Sequence, residues 1–461
     1  MTWQAKPVPA EGPLGARLML VGAYPGTEEI KRGRPFVGQA GRELDGYLYR
    51  HGLNRADIYI TNLVKTGVGD VDEDDLDPAG PMVQAATGEL LREINRVQPD
   101  VVMTLGSLPL RALGIKQPLE ACHGLDHAWG DYALLPAYNP AAGLRRTGLM
   151  HAIEQDIEAA AAWNGFPPPA KYRVPIDTAA DTCCYMELTE PGTVHRILDT
   201  YTSEVTAIFI DTEGSAAEPW SLQFSFDPGI AYLLRATSKP ALAVFNEWLH
   251  RRRVLVVLHN ALHDLAVMDA MGITVTDHGH RPGWVDTMVM AYHLCDLPQG
   301  LKSLAYRLCG MDMDEYADVV RPAQNTIARD YLEAVYMAPW PVIEPSTVWR
   351  NGKQAKTKPW QIKRHAENIL ANYHGVKAAE LRAGGWEGAT GNEAIDLAGR
   401  WGNVDEAKRE IVEDRLGPMP EAGLQHIEFS RALRYACRDA DALGRVYREL
   451  VEIYKERFDA T

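Results

Sequence analysis

The alternation of apolar and polar positions divides the chain into two regions of α/β character. Residues 17–21 (RLMLV) form a short apolar run that enters GAYPG, whose glycines and proline interrupt it, which predicts a buried strand ending in a turn. Residues 57–64 (DIYITNLV) and 100–107 (DVVMTLGS) have the same pattern, with the helical segment GELLREINRV between them. Strands alternating with helices predict a parallel sheet. An alanine-rich helix at about 148–163 closes this region, and NGFPPPAKYRVP cannot extend it, because consecutive prolines lack N–H donors and fix φ. A linker is therefore expected at 164–176, between domains at 1–163 and 177–461. The second region opens with TAIFIDTEGS, SLQFSFD and IAYLLRA, strand patterns close enough in sequence to be antiparallel neighbours. VLVVLHN follows between helical patterns, so a mixed sheet flanked by helices is expected. Residues 311–425 are less regular and are expected to be an insertion of helices and loops.

Composition narrows the classes. A chain of 461 residues exceeds what one hydrophobic core commonly serves, which again points to two domains. No run of about 18 uncharged apolar residues spans a bilayer, and the N-terminus lacks the apolar core of a secretory signal. A cytoplasmic protein with no membrane partner is expected. Six cysteines without a CxxC pair suit a reducing compartment and exclude a disulfide framework or a structural zinc site. A net charge of −15 opposes general attraction to phosphate, so any DNA site has to be local.

The candidate chemistry lies in carboxylates. Asp211 and Glu213 flank Thr212 at the end of an apolar strand, and period-two geometry places both on one side, where they can share a cation. A second apolar strand leads to Asp264, four residues after Asn260, while Tyr435 and Asp439 in YACRDADAL lie one helical turn apart. Such hard oxygen ligands select Mg²⁺ or Mn²⁺, and two such ions about 4 Å apart assist phosphodiester hydrolysis.

The order DxE, NxxxD, YxxxD, with WVDTMVMAYHLCDLPQGLKSLAYRLCG between, resembles the proofreading exonuclease domain of family A DNA polymerases over about 190–310 and 426–450. This is the DEDDy subgroup of DnaQ-like exonucleases, built on an RNase H-like mixed sheet. The resemblance implies two Mg²⁺ or Mn²⁺ ions, with Asp211 bridging both, Glu213 and Asp439 completing the first, Asp264 serving the second, and Tyr435 orienting the attacking water. It also implies that Asn260 positions the nucleotide and that Asp286 supports the substrate site, a place a helix N-cap explains equally. The few residues after Asp439 leave no room for a polymerase palm and fingers. The expected activity is 3′–5′ hydrolysis of single-stranded or mismatched DNA ends, in replication or proofreading, beside a separately encoded family A polymerase, as in a bacteriophage or bacterial system. Arg350, Lys353, Lys356, Lys358, Lys363 and Arg364, interleaved with Trp349 and Trp360, are expected either to contact DNA or to form a solvated loop.

In the first region, GAYPGTEEIKRGRPFVGQAGREL, YITNLVK and NPAAGLR resemble the motifs of family 4 uracil-DNA glycosylases over about 17–163. The resemblance implies a pocket walled by residues 22–26, beginning at Gly22, with Phe36 stacking on a flipped base and Asn62 reading its edge. Ala23 stands where the family carries a carboxylate, although Glu29 matches another acidic position, and Asn139 replaces the expected histidine. The cluster cysteines are missing, with Thr66 where one is expected, so no iron–sulfur cluster is expected. Residues 69–77 (GDVDEDDLD) are expected to be a solvated loop or a docking surface for a basic partner. Uracil excision is therefore expected to be lost or sharply reduced, leaving a domain that binds DNA or a replisome partner. The alternatives are a repair enzyme with both activities, and a non-enzymatic assembly module if the four carboxylates do not converge.

Overall fold

The structure is a computed structural model that describes residues 6–69, 71–163, 173–175, 177, 183–201, 205–275, 283–338, 348–350, 353–355, 359–374, 395–404 and 406–459. Five strands form the first sheet: β1 (Leu18–Gly22), β2 (Tyr59–Asn62), β3 (Val101–Leu105), β4 (His127–Trp129) and β5 (Tyr132–Ala137). Their order is β2-β1-β3-β5-β4, parallel except for β4, which pairs antiparallel with β5 at one edge. β1 to β3 are buried throughout, as their continuous apolar runs require of a sheet covered on both faces. One face is covered by helix Pro81–Val97, the other by helices Gln39–Arg50 and Met150–Ala162.

The second sheet has the order β11-β10-β7-β8-β9-β6, from β6 (Cys184–Glu187), β7 (Ala207–Gly214), β8 (Pro219–Ser225), β9 (Ile230–Arg235), β10 (Leu255–Leu258) and β11 (Trp284–Asp286). β7, β8 and β9 form the expected antiparallel meander, and β10 and β11 join parallel beside β7. The 26-residue helix Phe429–Tyr454 crosses one face. It approaches β7 closely at Gly444, where an added Cβ would stand 2.8 Å from the Phe209 ring. Asp441 fixes the helix further, accepting hydrogen bonds from Tyr185 Oη and Gly229 N, each at 2.9 Å. Two short strands that the sequence pattern did not single out, β4 and β11, complete the sheet edges, and β6 adds a third.

The expected insertion has an interior of its own. Tyr331, Leu332 and Val335 of helix Tyr316–Met337 pack with Ile362, Leu370, Leu397 and Trp401 in a separate buried cluster. Of the expected linker, residues 164–172 and 176 lie outside the described residues.

The two sheets are not joined by the chain alone. Tyr306, on helix Leu301–Cys309 of the second region, is buried with the first region's core, and its hydroxyl lies 3.2 Å from His127 Nδ1. His127 is buried, with no hydrogen-bond partner for Nε2 among the described residues, and burial pulls its pKa from 6.5 down to about 4. A folded-state pKa below the unfolded value means that the unfolded chain binds the proton more readily. The contribution is therefore complete above pH 6.5 and is lost as pH falls toward 4. We predict that the pH-dependent loss of urea stability over this window is smaller in His127→Phe than in the wild type, by up to about 3 kcal/mol. Superimposable pH profiles would contradict the assignment.

Candidate active site

β7 carries Asp211 and Glu213 on one side and Thr212 on the other, as its pleat requires. Helix Phe429–Tyr454 brings Asp439 across the sheet, and carboxylate oxygens of Asp211, Glu213 and Asp439 all lie within 4.8 Å of one another. Asp264, 2% exposed at the start of helix Ala261–Met271, is not part of this triplet. It accepts hydrogen bonds from Thr212 N (3.1 Å) and Thr212 Oγ1 (2.7 Å), so the middle residue of the DxE triplet ties the fourth carboxylate to the strand.

Burial dominates the electrostatics, and neighbouring acids add to it. Asp211 is raised well above the carboxylate range by burial and then by Asp264. Burial, with Asp439 next, pushes Glu213 up to about 8, and burial takes Asp264 and Asp439 each up to about 7. Asp439 Oδ1 is buried without a hydrogen-bond partner among the described residues. Three converging hard oxygen donors with an unsatisfied acceptor fit a divalent cation such as Mg²⁺ or Mn²⁺.

Tyr435 lies one turn before Asp439, and its hydroxyl is 3.3 Å from Lys302 Nζ. Lys302 also donates to Asp314 O at 2.6 Å and lowers the carboxyl pKa of Asp211, Glu213 and Asp439. Lys302 lies in the GLKSLA segment, where the motif residues of the sequence give it no role; a lysine among the helix's apolar positions is the signal it leaves. A cavity of about 550 Å³ adjoins Glu213, walled by Trp220, Tyr316 and Leu424 with no basic side chain among the described residues. Asp286 is a cap twice over, accepting from Asn260 N, Ala261 N and Met288 N at 3.1, 2.8 and 2.9 Å. Asn260 is exposed and left-handed at φ 60°. Among the expected DNA contacts, Lys356 and Lys358 lie outside the described residues, and Lys353 and Trp360 are described in backbone only.

The other expected pocket also assembles. Ala23, Glu29, Phe36, Asn62 and Asn139 line one cavity of about 240 Å³. Gly22 is required behind it, since an added Cβ would lie 2.4 Å from Asn62 Oδ1 and 2.6 Å from the Phe36 ring. Phe36 is held at φ 50°, strained for an aromatic residue, by Arg55 donating to Pro35 O and Phe36 O. Asn62 is 3% exposed, and its side-chain amide has no partner among the described residues. Asn139 is committed elsewhere: Oδ1 caps helix Pro140–Arg145 by accepting from Ala141 N at 3.0 Å, and Nδ2 points to Leu105 O at 3.5 Å. Glu29 likewise accepts from Val37 N (2.9 Å) and Gly38 N (2.7 Å), holding the Phe36 loop. The acidic run is more than a solvated loop. Glu73 accepts from Ser107 N at 3.2 Å and lines the cavity with Asp72, and Tyr24 Oη donates to Val71 O at 2.8 Å.

A family model described as the uracil DNA glycosylase superfamily matches residues 9–163. A type-4 uracil-DNA glycosylase of Thermotoga maritima is 37% identical over 159 residues, covering 33% of this chain and 80% of that protein. By its N-terminal third, the chain belongs to the uracil-DNA glycosylase superfamily. A type-4 uracil-DNA glycosylase of Saccharolobus solfataricus is 32% identical over 160 residues, 32% of this chain and 72% of its own. A second model, described as a 3′–5′ exonuclease, matches residues 196–329, so the chain is a fusion of a glycosylase-superfamily domain with a 3′–5′ exonuclease domain. A solved structure, the EXD2 exonuclease domain soaked in Mn and GMP, is 16% identical over 28% of this chain and 72% of that one, with a TM-score of 0.19 too low to carry an argument.

The family resemblance of the glycosylase domain implies an iron–sulfur cluster. An iron–sulfur cluster takes four thiolates. Residues 1–163 contain one cysteine, Cys122, which is buried and whose thiol is pushed up to about 12 by burial. These residues do not fit the cluster.

Two outcomes are expected. Above pH 8, in EDTA, Asp439→Asn raises the thermal midpoint by about 2–4 °C by removing one of the mutually repelling carboxylates, and it weakens the stabilisation that Mn²⁺ gives the wild type. A lower midpoint would show that the triplet is not self-repelling. Gly22→Ala is expected to cost about 1–3 kcal/mol in chemical denaturation, because Asn62 and Phe36 have to move; an unchanged midpoint would contradict that packing.

Proposed function

We propose that the chain is a DNA exonuclease of the DEDDy type, dependent on divalent metal, that removes nucleotides from 3′ ends beside a separately encoded polymerase. The convergence of Asp211, Glu213 and Asp439 within 4.8 Å, one helical turn from Tyr435, is the observation that carries this reading. The working boundaries are 1–163 for the glycosylase domain and 177–461 for the exonuclease domain. Asp211, Glu213 and Asp439 would hold one ion, with Asp264 offering an oxygen toward a second. Bound there, the metal supplies charge neutralisation at the scissile phosphate and an activated water. The protein's own part is positional. Tyr435, whose phenol is raised by burial and then by Asp439, stays protonated at neutral pH and so orients a water by hydrogen bonding rather than deprotonating it. The cavity beside Glu213, free of cationic lining, suits the terminal base rather than a phosphate.

In this reading the glycosylase domain holds a flipped base without excising it. Phe36 and Asn62 keep the stacking and reading positions, while Ala23 supplies no carboxylate and the Asn139 amide is occupied by its cap. No iron–sulfur cluster takes part. The second reading, a repair enzyme with both activities, draws on the 37% identity to a type-4 glycosylase and the unpartnered Asn62 amide.

A 5′-labelled DNA with a recessed 3′ end and one internal uracil separates these readings. The expected result with Mg²⁺ is a ladder shortened from the 3′ end, abolished by EDTA and slowed on the order of 10³-fold by Asp211→Ala, with no alkali-sensitive break at uracil. An alkali-sensitive break that persists in EDTA would establish the repair reading, and no shortening at all would remove the nuclease reading.

A further inference from the structure

We propose that the glycosylase domain is a working part of the exonuclease site, because it clamps the helix that sets Lys302 against Tyr435. The inference rests on the exonuclease reading above. Helix Leu301–Cys309 is held from two sides. Toward the exonuclease core, Leu304 and Ala305 pack with Ala442, Val446 and Leu450 of the helix that carries Tyr435 and Asp439. Toward the glycosylase domain, the Tyr306 ring stacks on His127 with centroids 6.0 Å apart, and its hydroxyl meets Nδ1 at 3.2 Å. Arg307 Nη1 donates to His123 O at 2.9 Å, and Ser303 Oγ donates to Glu120 at 3.2 Å.

The surface that receives these contacts is itself rigidly held. His123 Nδ1 lies 2.7 Å from Asp156 Oδ1, and the fully buried Asp156 also accepts from Tyr138 N at 2.8 Å. The connector adds a second anchor: Pro175 O lies where a Cβ on Gly310 would stand, 1.9 Å away, and Asp177 pairs with Arg445 at 2.8 Å. Lys302 is therefore placed one turn from a residue buried in the other domain's core, while its ammonium reaches the site tyrosine at 3.3 Å. A contact of that length does not survive a displacement of about 1 Å, and misplacement on that scale costs roughly a hundredfold in rate. Lys302 acts on Tyr435, and Tyr306 and Arg307 act on Lys302, so all three are positioning residues.

The test uses the full chain with Mg²⁺ and a single-stranded oligonucleotide, with kcat and KM measured separately. Lys302→Ala is expected to lower kcat roughly 10- to 100-fold with KM changed less than about twofold, and Lys302→Arg to recover most of the loss. Arg307→Gln is expected to lower kcat roughly fivefold to tenfold, and the double variant to be no slower than Lys302→Ala alone, because Arg307 works through Lys302. Tyr306→Phe removes one hydroxyl and no ring, so it preserves the packed seam; a fall in kcat of roughly twofold or more supports the clamp. The proposal is overturned if Arg307→Gln and Tyr306→Phe lower the melting temperature yet leave kcat unchanged, or if the Arg307 effect multiplies with that of Lys302→Ala. A wild-type chain that does not shorten 3′ ends overturns the exonuclease reading itself, whereas an active wild type with indifferent seam variants overturns only this one.

Discussion

The burial of four neighbouring carboxylates, which disfavours their charge first by desolvation and then by mutual repulsion, is the constraint to which the exonuclease domain is built. Asp211, Glu213, Asp264 and Asp439 are drawn into one low-dielectric region, and each has its ionised form disfavoured there. An arrangement of this kind opposes folding, so the surrounding scaffold has to be over-determined. β7 is an interior strand, hydrogen-bonded to β8 and β10, which fixes the direction of Asp211 and Glu213. The helix that brings Asp439 is locked onto that strand by the close approach at Gly444 and by the Asp441 network. Asp264 is held by two hydrogen bonds from one threonine. Strain of this sort persists where the fold compensates for it, and it marks the place where a cation restores the balance.

The features legible in the sequence were those that depend on local geometry. The strand period gave Asp211 and Glu213 a common side, and the helical period did the same for Tyr435 and Asp439. The meander and the parallel first sheet followed from pattern and turn chemistry in the same way. Partnerships between distant segments leave no such period. That Thr212 would tether Asp264, that Lys302 would reach Tyr435, and that Glu73 would turn inward to Ser107 depends on tertiary contacts. The same limit explains Asn139: its position in the pocket was visible from the motif, but its commitment to capping a helix was visible only from the backbone beside it.

The glycosylase domain shows how a fold can keep the shape of a pocket while its polar groups change employment. Asn62 and Asn139 are the same residue type on the wall of the same cavity, yet one amide is unpartnered and the other satisfied. An amide lining a cavity without a protein partner is left to hydrogen-bond a ligand or water, and in the proposed reading Asn62 gives those bonds to a base edge. A satisfied amide has less left to give to a charge developing on a leaving base. Glu73 adds a carboxylate to the same wall, which disfavours an anionic ligand further. In the proposed reading, binding and excision thus depend on different residues of one cavity.

The insertion poses the converse problem, since more than a hundred residues separate Lys302 from Tyr435 and the two still touch. This is possible because the inserted helices bury much of their apolar surface against one another in a separate cluster, while Val319, Val320, Ala422 and Leu424 pack against β9 and Tyr435. The segment also returns close to where it left: Tyr316 at its start and Leu424 near its end wall the same cavity beside Glu213. A closed excursion costs little entropy beyond that of a shorter loop, because closure entropy grows only logarithmically with length. The motif residues at either end consequently keep their relative positions. The insertion also meets the site through a ring: Tyr316 lies edge-on to Tyr435 with centroids 5.9 Å apart. That contact couples the insertion to the tyrosine that also meets Lys302. The position of Tyr435 is therefore set jointly by three parts of the chain: its own helix, the insertion, and a helix held by the glycosylase domain.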